Sequence, residues 1–281
     1  MGLFKSLTAK LSRRNRERRA KKAASKNKTH SARAEFLLND DAPFAVTEAF
    51  RNLKAALSVS VPKRDGGIAI LMTSGYPKDG KTTVTVNLAL MFAISNAKVI
   101  LVDADIRKGR ISKYFKTKST PGLSDYLSGN CSLESIVHKS EINENLSFIT
   151  CGTHSPKPYE LLESEEMKKL LNKLREEYDY VIIDTPPVLM LSDALAVAPS
   201  TDGAVLVCRH LVSYVNDIER ALNALTFAKA NVLGVVVNDL KIPKTTGYYG
   251  NYKRYYYYTS YLSYMPNEME LMESAKDKKQ N

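Results

Sequence analysis

A glycine-rich stretch that ends in lysine and threonine carries the clearest chemistry in this chain. Residues 75–82 read Gly-Tyr-Pro-Lys-Asp-Gly-Lys-Thr and match the pattern G-x-x-x-x-G-K-[ST] in full. In such a loop, backbone N–H groups converge on phosphate oxygens, the lysine reaches the terminal phosphates and the hydroxyl binds Mg²⁺. A strand pattern before the loop and a helix pattern after it disfavour a simple glycine turn. The residues expected to bind nucleotide phosphates are Gly75, Asp79, Gly80, Lys81, Thr82 and Thr83.

Two other apolar runs end in carboxylates. Residues 100–107 read Ile-Leu-Val-Asp-Ala-Asp-Ile-Arg, and residues 181–184 read Val-Ile-Ile-Asp. Asp103 and Asp105 alternate along a strand end, so they project to one side and could hold a metal or accept a proton from an attacking hydroxyl. Taken alone, this run fits a helix N-cap with a surface acid equally well. Asp184 is expected to be the Walker B aspartate, which supports the metal through Thr82, although many strands end in aspartate.

The elements around these residues form repeated β-α-β units. Apolar runs predict strands at 68–73, 98–102, 146–150, 180–183, 204–208 and 232–237. Helical periodicity predicts helices at 81–95, 165–178 and 215–229. Strands that are apolar throughout and separated by helices imply a parallel sheet that is covered on both faces. We therefore expect a doubly wound α/β fold of the P-loop NTPase type, with ligands at the carboxyl ends of the strands.

The charge distribution divides the chain into three regions. The formal net charge is +11, and residues 1–34 hold 12 Lys and Arg against one acid, so that 12 − 1 = +11 lies in this arm alone. We predict a basic arm at 1–34, a P-loop domain at 35–241 and a tyrosine-rich tail at 242–281. Leu3, Phe4, Leu7 and Leu11 share one helical face, which suits an anionic membrane surface. A disordered arm that binds any polyanion, including nucleic acid, is the alternative.

Cysteine usage and hydropathy predict a location. The three cysteines show no CxxC pair, which argues against a disulfide framework or a zinc site and fits a reducing cytosol. No apolar run reaches the roughly 18 residues that a membrane span needs. The sequence therefore predicts a cytoplasmic protein that lies at the inner face of the cell membrane.

Several motifs resemble those of one family. The Asp103-x-Asp105-x-Arg107 element resembles the Walker A′ motif of the bacterial tyrosine kinases, which are the capsule and exopolysaccharide autokinases. The helix pattern at 48–54 is similar to the family's E-x-x-R-x-x-R motif, and residues 156–162 are similar to its P-N-P-x-E-L-L stretch. The resemblance spans roughly residues 40–265. Two positions depart from it: Lys54 replaces the second arginine of the helix motif, and Lys157 replaces the asparagine of P-N-P.

The resemblance implies an ATP-dependent tyrosine autokinase that uses Mg²⁺ and regulates capsule or exopolysaccharide synthesis. Lys81 and Thr82 would bind phosphate and metal, and Asp184 would hold the metal through water. Asp103 and Asp105 would share metal binding and activation of the tyrosine hydroxyl, with Asp103 favoured as the base. Two further roles are implied: Arg107 would contact the incoming tail or neutralise developing charge, and Asn238 would meet the adenine, unless it is only a turn residue.

The resemblance also implies substrates and partners. The acceptor residues, phosphorylated in trans, would be Tyr248, Tyr249, Tyr252, Tyr255, Tyr256, Tyr257, Tyr258, Tyr261 and Tyr264. Glu48, Arg51 and Lys54 share one helix face and would join the subunits of a homo-oligomeric ring, although a solvated face is the alternative. A separate transmembrane activator of the polysaccharide co-polymerase type would dock the kinase, as in the Firmicute arrangement. A cognate tyrosine phosphatase would reset the tail.

Two other functions remain open from sequence. Partition and division-site ATPases of the deviant Walker class, the MinD and ParA proteins, share the expected fold, but they carry a signature lysine directly after the first glycine of the loop. Tyr76 occupies that position here, which favours the kinase. A scaffold that binds ATP without chemistry is the third hypothesis, and the presence of all the acidic residues counts against it.

Overall fold

The computed structural model describes residues 37–39, 42–61 and 65–240. The predicted arm at 1–34 and the nine predicted acceptor tyrosines lie outside the described residues. The elements, in chain order, are α1 (Phe44–Ser60), β1 (Ile68–Ser74), α2 (Lys81–Ile94), β2 (Val99–Asp103), α3 (Ile111–Tyr114), α4 (Leu123–Leu127), β3 (Val137–Lys139), β4 (Leu146–Ile149), α5 (Pro158–Glu163), α6 (Glu165–Glu177), β5 (Tyr180–Asp184), α7 (Asp193–Val197), β6 (Gly203–Arg209), α8 (Val215–Phe227) and β7 (Val232–Asn238).

The strands form one seven-stranded sheet in the order β3-β4-β2-β5-β1-β6-β7. Every neighbouring pair is parallel except β3 and β4, which are antiparallel. This arrangement confirms the predicted doubly wound, mostly parallel fold. The sequence did not predict β3, because its three residues Val-His-Lys form an edge strand that is too short and too polar to give an apolar run.

Consecutive residues of the central strands pack into two separate hydrophobic clusters, one on each face of the sheet. Ile70 and Leu101 pack with residues of α1 and α2. Leu71 and Val102 pack with residues of α6, α7 and α8. Because side chains alternate across a strand, a run that is apolar throughout must be covered on both faces. The two layers of helices therefore explain why these strands show no polar alternation.

The helices meet their predicted bounds within one or two residues. In α2, every residue from Val84 to Ala93 is buried, because α1 covers the side that faces away from the sheet. The α6 helix begins at the N-cap Ser164, whose hydroxyl accepts a hydrogen bond of 3.2 Å from the Met167 N–H. Its buried residues recur at helical spacing, from Met167 to Leu174. The helices α3, α4, α5 and α7 have six residues or fewer and gave no periodic pattern.

No helix within residues 37–39, 42–61 and 65–240 has the length and apolar character that crossing a bilayer requires.

Candidate active site

The predicted phosphate-binding loop connects β1 to α2 at the carboxyl edge of the sheet. Gly80 has φ +88°, a left-handed backbone conformation that residues other than glycine rarely adopt. A Cβ atom at this position would lie 1.9 Å from Asn238 Nδ2, at the end of β7. Asn238 approaches this closely because its side-chain amide donates a hydrogen bond of 2.9 Å to the Asp79 carbonyl. Both backbone conformation and close packing therefore require glycine at this point in the loop.

The Asp79 side chain ties the loop together. Its carboxylate accepts hydrogen bonds from the Tyr76 N–H at 3.1 Å and from the Ser213 hydroxyl at 3.3 Å. Burial raises the pKa of Asp79, and the Tyr76 hydrogen bond opposes that rise. Asn238 thus contacts the loop backbone through Asp79, while its predicted contact with adenine stays a prediction. The loop shape therefore depends on Ser213, in the segment that follows β6, and on Asn238, at the end of β7.

Asp184 contacts three residues of α2, including two that were predicted to bind nucleotide phosphates. Its buried carboxylate forms an ion pair with the buried Lys81 ammonium group. It also accepts hydrogen bonds from the hydroxyls of Thr82, at 2.7 Å, and Thr85, at 3.2 Å. The α2 residues reach it because α2 packs against β5, the strand that Asp184 ends. The fold therefore brings together the lysine, the threonine and the Walker B aspartate.

Asp103 lies beside Asp184 because their strands pair in parallel with these two residues in register. Its side chain is fully buried, and its oxygens accept hydrogen bonds from the N–H groups of Ile111 at 3.0 Å and Asp105 at 3.3 Å. Burial, and then the charge of Asp184, raise the pKa of Asp103 to about 8. A Cβ atom on Gly109 would lie 2.7 Å from the Asp103 carboxylate, so glycine lets the following loop close over it.

Asp105 occupies a different environment from Asp103, although only one residue separates them. It lines the cleft beside the phosphate-binding loop, together with Lys81 and Thr82. Its carboxylate accepts a hydrogen bond of 2.9 Å from the Lys108 N–H. Burial raises the pKa of Asp105, and Lys81 lowers it. Of the two Walker A′ carboxylates, Asp105 is the one that faces the space where a substrate would bind.

Arg107 also lines the cleft, and a residue that the sequence did not single out holds it. Its Nε and Nη2 atoms donate hydrogen bonds of 2.9 Å and 3.3 Å to the two carboxylate oxygens of Asp193. Asp193 begins α7 and is fully buried. An aspartate in the first turn of a helix is common, so the sequence alone did not indicate this pair.

The cleft has a volume of about 640 Å³, within the usual range for small-molecule sites. Its wall includes Tyr114, which sequence analysis also missed. The Tyr114 and Thr83 hydroxyls are hydrogen-bonded at 2.7 Å. Thr83, predicted to bind nucleotide, therefore has a side-chain partner within the protein.

The oxygen atoms at the cleft suit Mg²⁺. The Thr82 hydroxyl and the Asp184 carboxylate lie side by side, and both are hard ligands of the kind that this ion prefers. Within the ranges that the structure describes, no group of three His, Cys, Asp or Glu side chains forms a metal site. The ion usually combines one or two protein ligands with water and substrate phosphates, and this donor set fits that pattern.

The three residues predicted to join subunits lie on α1 and have partners within the chain. Arg51 pairs with Glu48 along the helix. The Lys54 ammonium donates a hydrogen bond of 2.7 Å to the Ser95 hydroxyl, at the end of α2. The helix at 48–54 is thus confirmed, and the ring contact stays a prediction.

Comparison with known proteins identifies the family. A model described as an AAA domain matches residues 68–231. The tyrosine-protein kinase YwqD of Bacillus subtilis is 38% identical over 184 residues, which cover 65% of this chain and 77% of YwqD. The tyrosine-protein kinase Ptk of Acinetobacter johnsonii is 33% identical over 69% of this chain, but the match covers only 26% of Ptk. The chain thus spans about a quarter of the length of this larger relative.

Solved structures agree with this assignment. The kinase domain of the Escherichia coli tyrosine kinase Etk superposes with a TM-score of 0.65 at 32% identity, covering 72% of this chain and 80% of that domain. The Pyrococcus furiosus cell division ATPase MinD superposes less well, with a TM-score of 0.53 at 26% identity over 63% of this chain and 76% of MinD. Similarity to the kinases is therefore greater in sequence, in structure and in coverage. The P-loop fold implies nucleotide binding, and the chain belongs to the bacterial tyrosine-protein kinases.

Proposed function

We propose that this chain is an ATP-dependent protein-tyrosine autokinase that phosphorylates its own C-terminal tyrosine cluster in trans. The observation that carries this proposal is the convergence of Lys81, Thr82 and Asp184 beside the cleft that Asp105 lines. Membership in the tyrosine-kinase family supports the choice of acceptor. Tyr76, in place of the signature lysine of the division ATPases, supports it further.

The phosphate-binding loop would position the triphosphate of ATP. Its backbone N–H groups and the N-terminus of α2 would contact phosphate oxygens, and Lys81 would move from Asp184 to the terminal phosphates. Thr82 and, through water, Asp184 would hold Mg²⁺, which would supply charge neutralisation at the phosphates. In such reactions the protein contributes mainly position and electrostatic stabilisation.

The Walker A′ carboxylates would handle the tyrosine proton. The tyrosine oxygen forms a bond to the γ-phosphorus, the bond to the β-phosphate oxygen breaks, and ADP leaves. The phenolic proton passes to a carboxylate. Asp105 faces the cleft and can meet the incoming hydroxyl, whereas Asp103 is fully buried, with its pKa raised to about 8. We therefore assign the direct contact with the tyrosine hydroxyl to Asp105. Asp103 would support Asp105 by accepting a hydrogen bond from the Asp105 N–H, and it would share in metal binding.

Phosphorylation of the tail would regulate assembly. The proposed homo-oligomeric ring, joined through Glu48, Arg51 and Lys54, would bring one subunit's tail near a neighbour's cleft at high effective concentration. Each phosphate adds roughly −1.5 to −2 charges at neutral pH. Several modified tyrosines would repel neighbouring tails and release the subunits, and a cognate tyrosine phosphatase would reset the cycle.

We also propose a membrane-peripheral location and a role in capsule or exopolysaccharide synthesis. The basic arm at 1–34 would bind anionic lipid, at roughly 1 kcal/mol for each basic residue near the surface, and a transmembrane activator would dock the kinase. Flotation with anionic vesicles tests the arm, because deletion of residues 1–34 should abolish binding. Binding that survives this deletion would refute the membrane role of the arm.

Peptide mapping tests the activity. Purified protein incubated with Mg-ATP should acquire phosphotyrosine within residues 248–264. A variant in which all nine of these tyrosines are changed to Phe is the matched control, because it keeps the ATP site and loses the acceptors. Phosphate that appears on the control at the level of the wild type would place the acceptors elsewhere, and ATP hydrolysis without any phosphotyrosine would favour the division-ATPase alternative.

A further inference from the structure

Arg107 and Asp193 form a two-point contact at the wall of the cleft. One carboxylate oxygen accepts from Nε at 2.9 Å, and the other accepts from Nη2 at 3.3 Å. This geometry fixes the plane of the guanidinium group, because both partners are flat and each supplies two atoms. Asp193 therefore uses Nε and Nη2 and leaves the Nη1 donors outside this pair.

The two residues differ in exposure in a way that gives each a separate role. The Arg107 side chain is 35% exposed and lines the cleft, whereas the Asp193 side chain is 0% exposed. A fully buried carboxylate loses its hydration and needs a positive partner. The ion pair with Arg107 therefore stabilises the buried Asp193 carboxylate. Arg107 is exposed to the cleft on its other side.

An arginine side chain has many rotamers, and ordering it has an entropic cost. A buried partner that has already ordered the guanidinium removes that cost from the reaction step. The two residues come from different segments: Arg107 follows β2, and Asp193 begins α7, which comes after β5 along the chain. The pair therefore fixes the Walker A′ segment relative to the segment that follows Asp184.

We propose that Asp193 is a positioning residue, which holds the Arg107 guanidinium at the phosphoryl-transfer site so that its remaining donors face the transferring phosphate. This inference rests on the proposed kinase function and adds to it a residue that contacts neither nucleotide nor acceptor. Arg107 contributes to the transition state, where negative charge spreads over the phosphoryl oxygens. Asp193 acts only through Arg107.

A double-mutant cycle tests this role. Asp193→Asn preserves the shape of the side chain and removes its charge, so the guanidinium loses its fixed orientation. We expect kcat for tail phosphorylation to fall by about 100-fold, as for a catalytic group displaced by about 1 Å, while the Kd for ADP stays unchanged. In an Arg107→Ala background, the same substitution should change kcat by less than about twofold. A fall of equal size in both backgrounds, or an unchanged kcat in the single variant, would overturn the proposal.

A second arginine–aspartate pair supplies the matched control. Arg175 donates to Asp202 through Nε at 3.2 Å and Nη2 at 3.1 Å, and both side chains are largely buried. Asp202 lies next to the start of β1, at the opposite end of the strands from the cleft. Asp202→Asn should lower the Tm and leave kcat unchanged. If Asp202→Asn lowered kcat as much as Asp193→Asn does, the effect would be one of stability and the positioning role would be refuted.

Two further measurements keep the result decisive. If Asp193→Asn fails to fold, Asp193→Glu is the second variant, because it retains the charge and should fold. It should still lower kcat, because the longer side chain displaces the guanidinium. Full activity of this folded variant would count against positioning.

If the wild type transfers no phosphate, the proposed function fails, and NMR of the arginine Nε–H groups then decides the positioning claim. The Arg107 signal should shift in Asp193→Asn and stay in place in Asp202→Asn, and a signal insensitive to Asp193 would overturn it.

Discussion

Thr82, the second residue of α2, donates a hydrogen bond of 2.7 Å to Asp184, which lies 102 residues further along the chain at the end of β5. The same carboxylate pairs with Lys81. Asp184 is remote in sequence from Lys81 and Thr82, yet it contacts both of them. The geometry of the predicted nucleotide site therefore depends on the position of β5 in the sheet. Substitutions at these three residues are therefore expected to change stability as well as activity.

Lys81→Met should abolish phosphorylation and also lower stability. Loss of the ammonium group removes the charge that we propose contacts the terminal phosphates, and it leaves Asp184 buried with only the hydroxyl donors of Thr82 and Thr85. Breaking a buried ion pair in this way typically costs about 3 kcal/mol, measurable by urea unfolding. The double variant Lys81→Met/Asp184→Asn should recover much of this stability and remain inactive. Normal phosphotyrosine formation by Lys81→Met would refute the assignment of the site.

Asp103→Asn and Asp105→Asn should have different kinetic effects. Asp105 faces the cleft, so its substitution should lower kcat by about 100- to 10,000-fold, the usual contribution of a general base, with little effect on the Kd for ATP. Asp103→Asn should also lower kcat, but less, because the buried Asp103 acts through its neighbours. Stopped-assay kinetics and equilibrium nucleotide binding separate these effects. A larger loss in Asp103→Asn than in Asp105→Asn would return the role of base to Asp103.

Asp103 should also make stability depend on pH. Its pKa is raised from an ordinary value of 3.8 to about 8 in the folded state, so the folded chain binds a proton that the unfolded chain releases. Its contribution to stability is therefore present at low pH and is lost as pH rises from about 4 towards about 8. Urea unfolding between pH 5 and pH 8 in EDTA should show this fall in the wild type. The fall in the free energy of unfolding should be smaller in Asp103→Asn. Parallel curves for the two proteins would contradict a raised pKa for Asp103 in the folded state.

Much of this architecture could be predicted from the sequence. The strands β1, β2, β4, β5, β6 and β7 are apolar runs, and the helices α2, α6 and α8, which lie between strands in the chain, were predicted from helical patterns. Their order implied the doubly wound sheet. The loop at 75–82 and the strand-end aspartates implied where the ligand binds. These signals are local in sequence. A parallel sheet places the carboxyl ends of its strands at one edge, so the local signals were enough to predict the position of the site.

The parts that could not be predicted depend on packing across the chain. The partnership of Arg107 with Asp193, the hydrogen bond of Tyr114 with Thr83, and the close approach of Gly109 to Asp103 join residues that follow no shared pattern. The contrast between Asp103 and Asp105 was also invisible, because alternation along a strand predicts direction and not burial. Sequence motifs therefore indicated which residues take part, and tertiary packing determined how each is presented.

Substitution of Glu48, Arg51 and Lys54 by alanine should convert the proposed oligomer to a monomer in sedimentation velocity. The contacts that these side chains make within the chain are exposed and are worth at most about 1 kcal/mol each, so the monomer should keep its Tm within a few degrees. Glu165 and Lys168 form another exposed pair with the same spacing on α6, and their replacement by alanine is the matched control. An unchanged oligomer in the triple variant would refute the ring contact.

The central claim is tested most directly by mixing two forms of the chain. Isotopically heavy Lys81→Met protein is incubated with light wild-type protein and Mg-ATP, and mass spectrometry then assigns each phosphotyrosine to a heavy or a light peptide. The account predicts phosphotyrosine at residues 248–264 of the heavy, inactive chain, and none when that chain is incubated alone. Absence of phosphotyrosine from the heavy chain in the mixture would contradict transfer in trans, and its absence from both chains would contradict the kinase function itself.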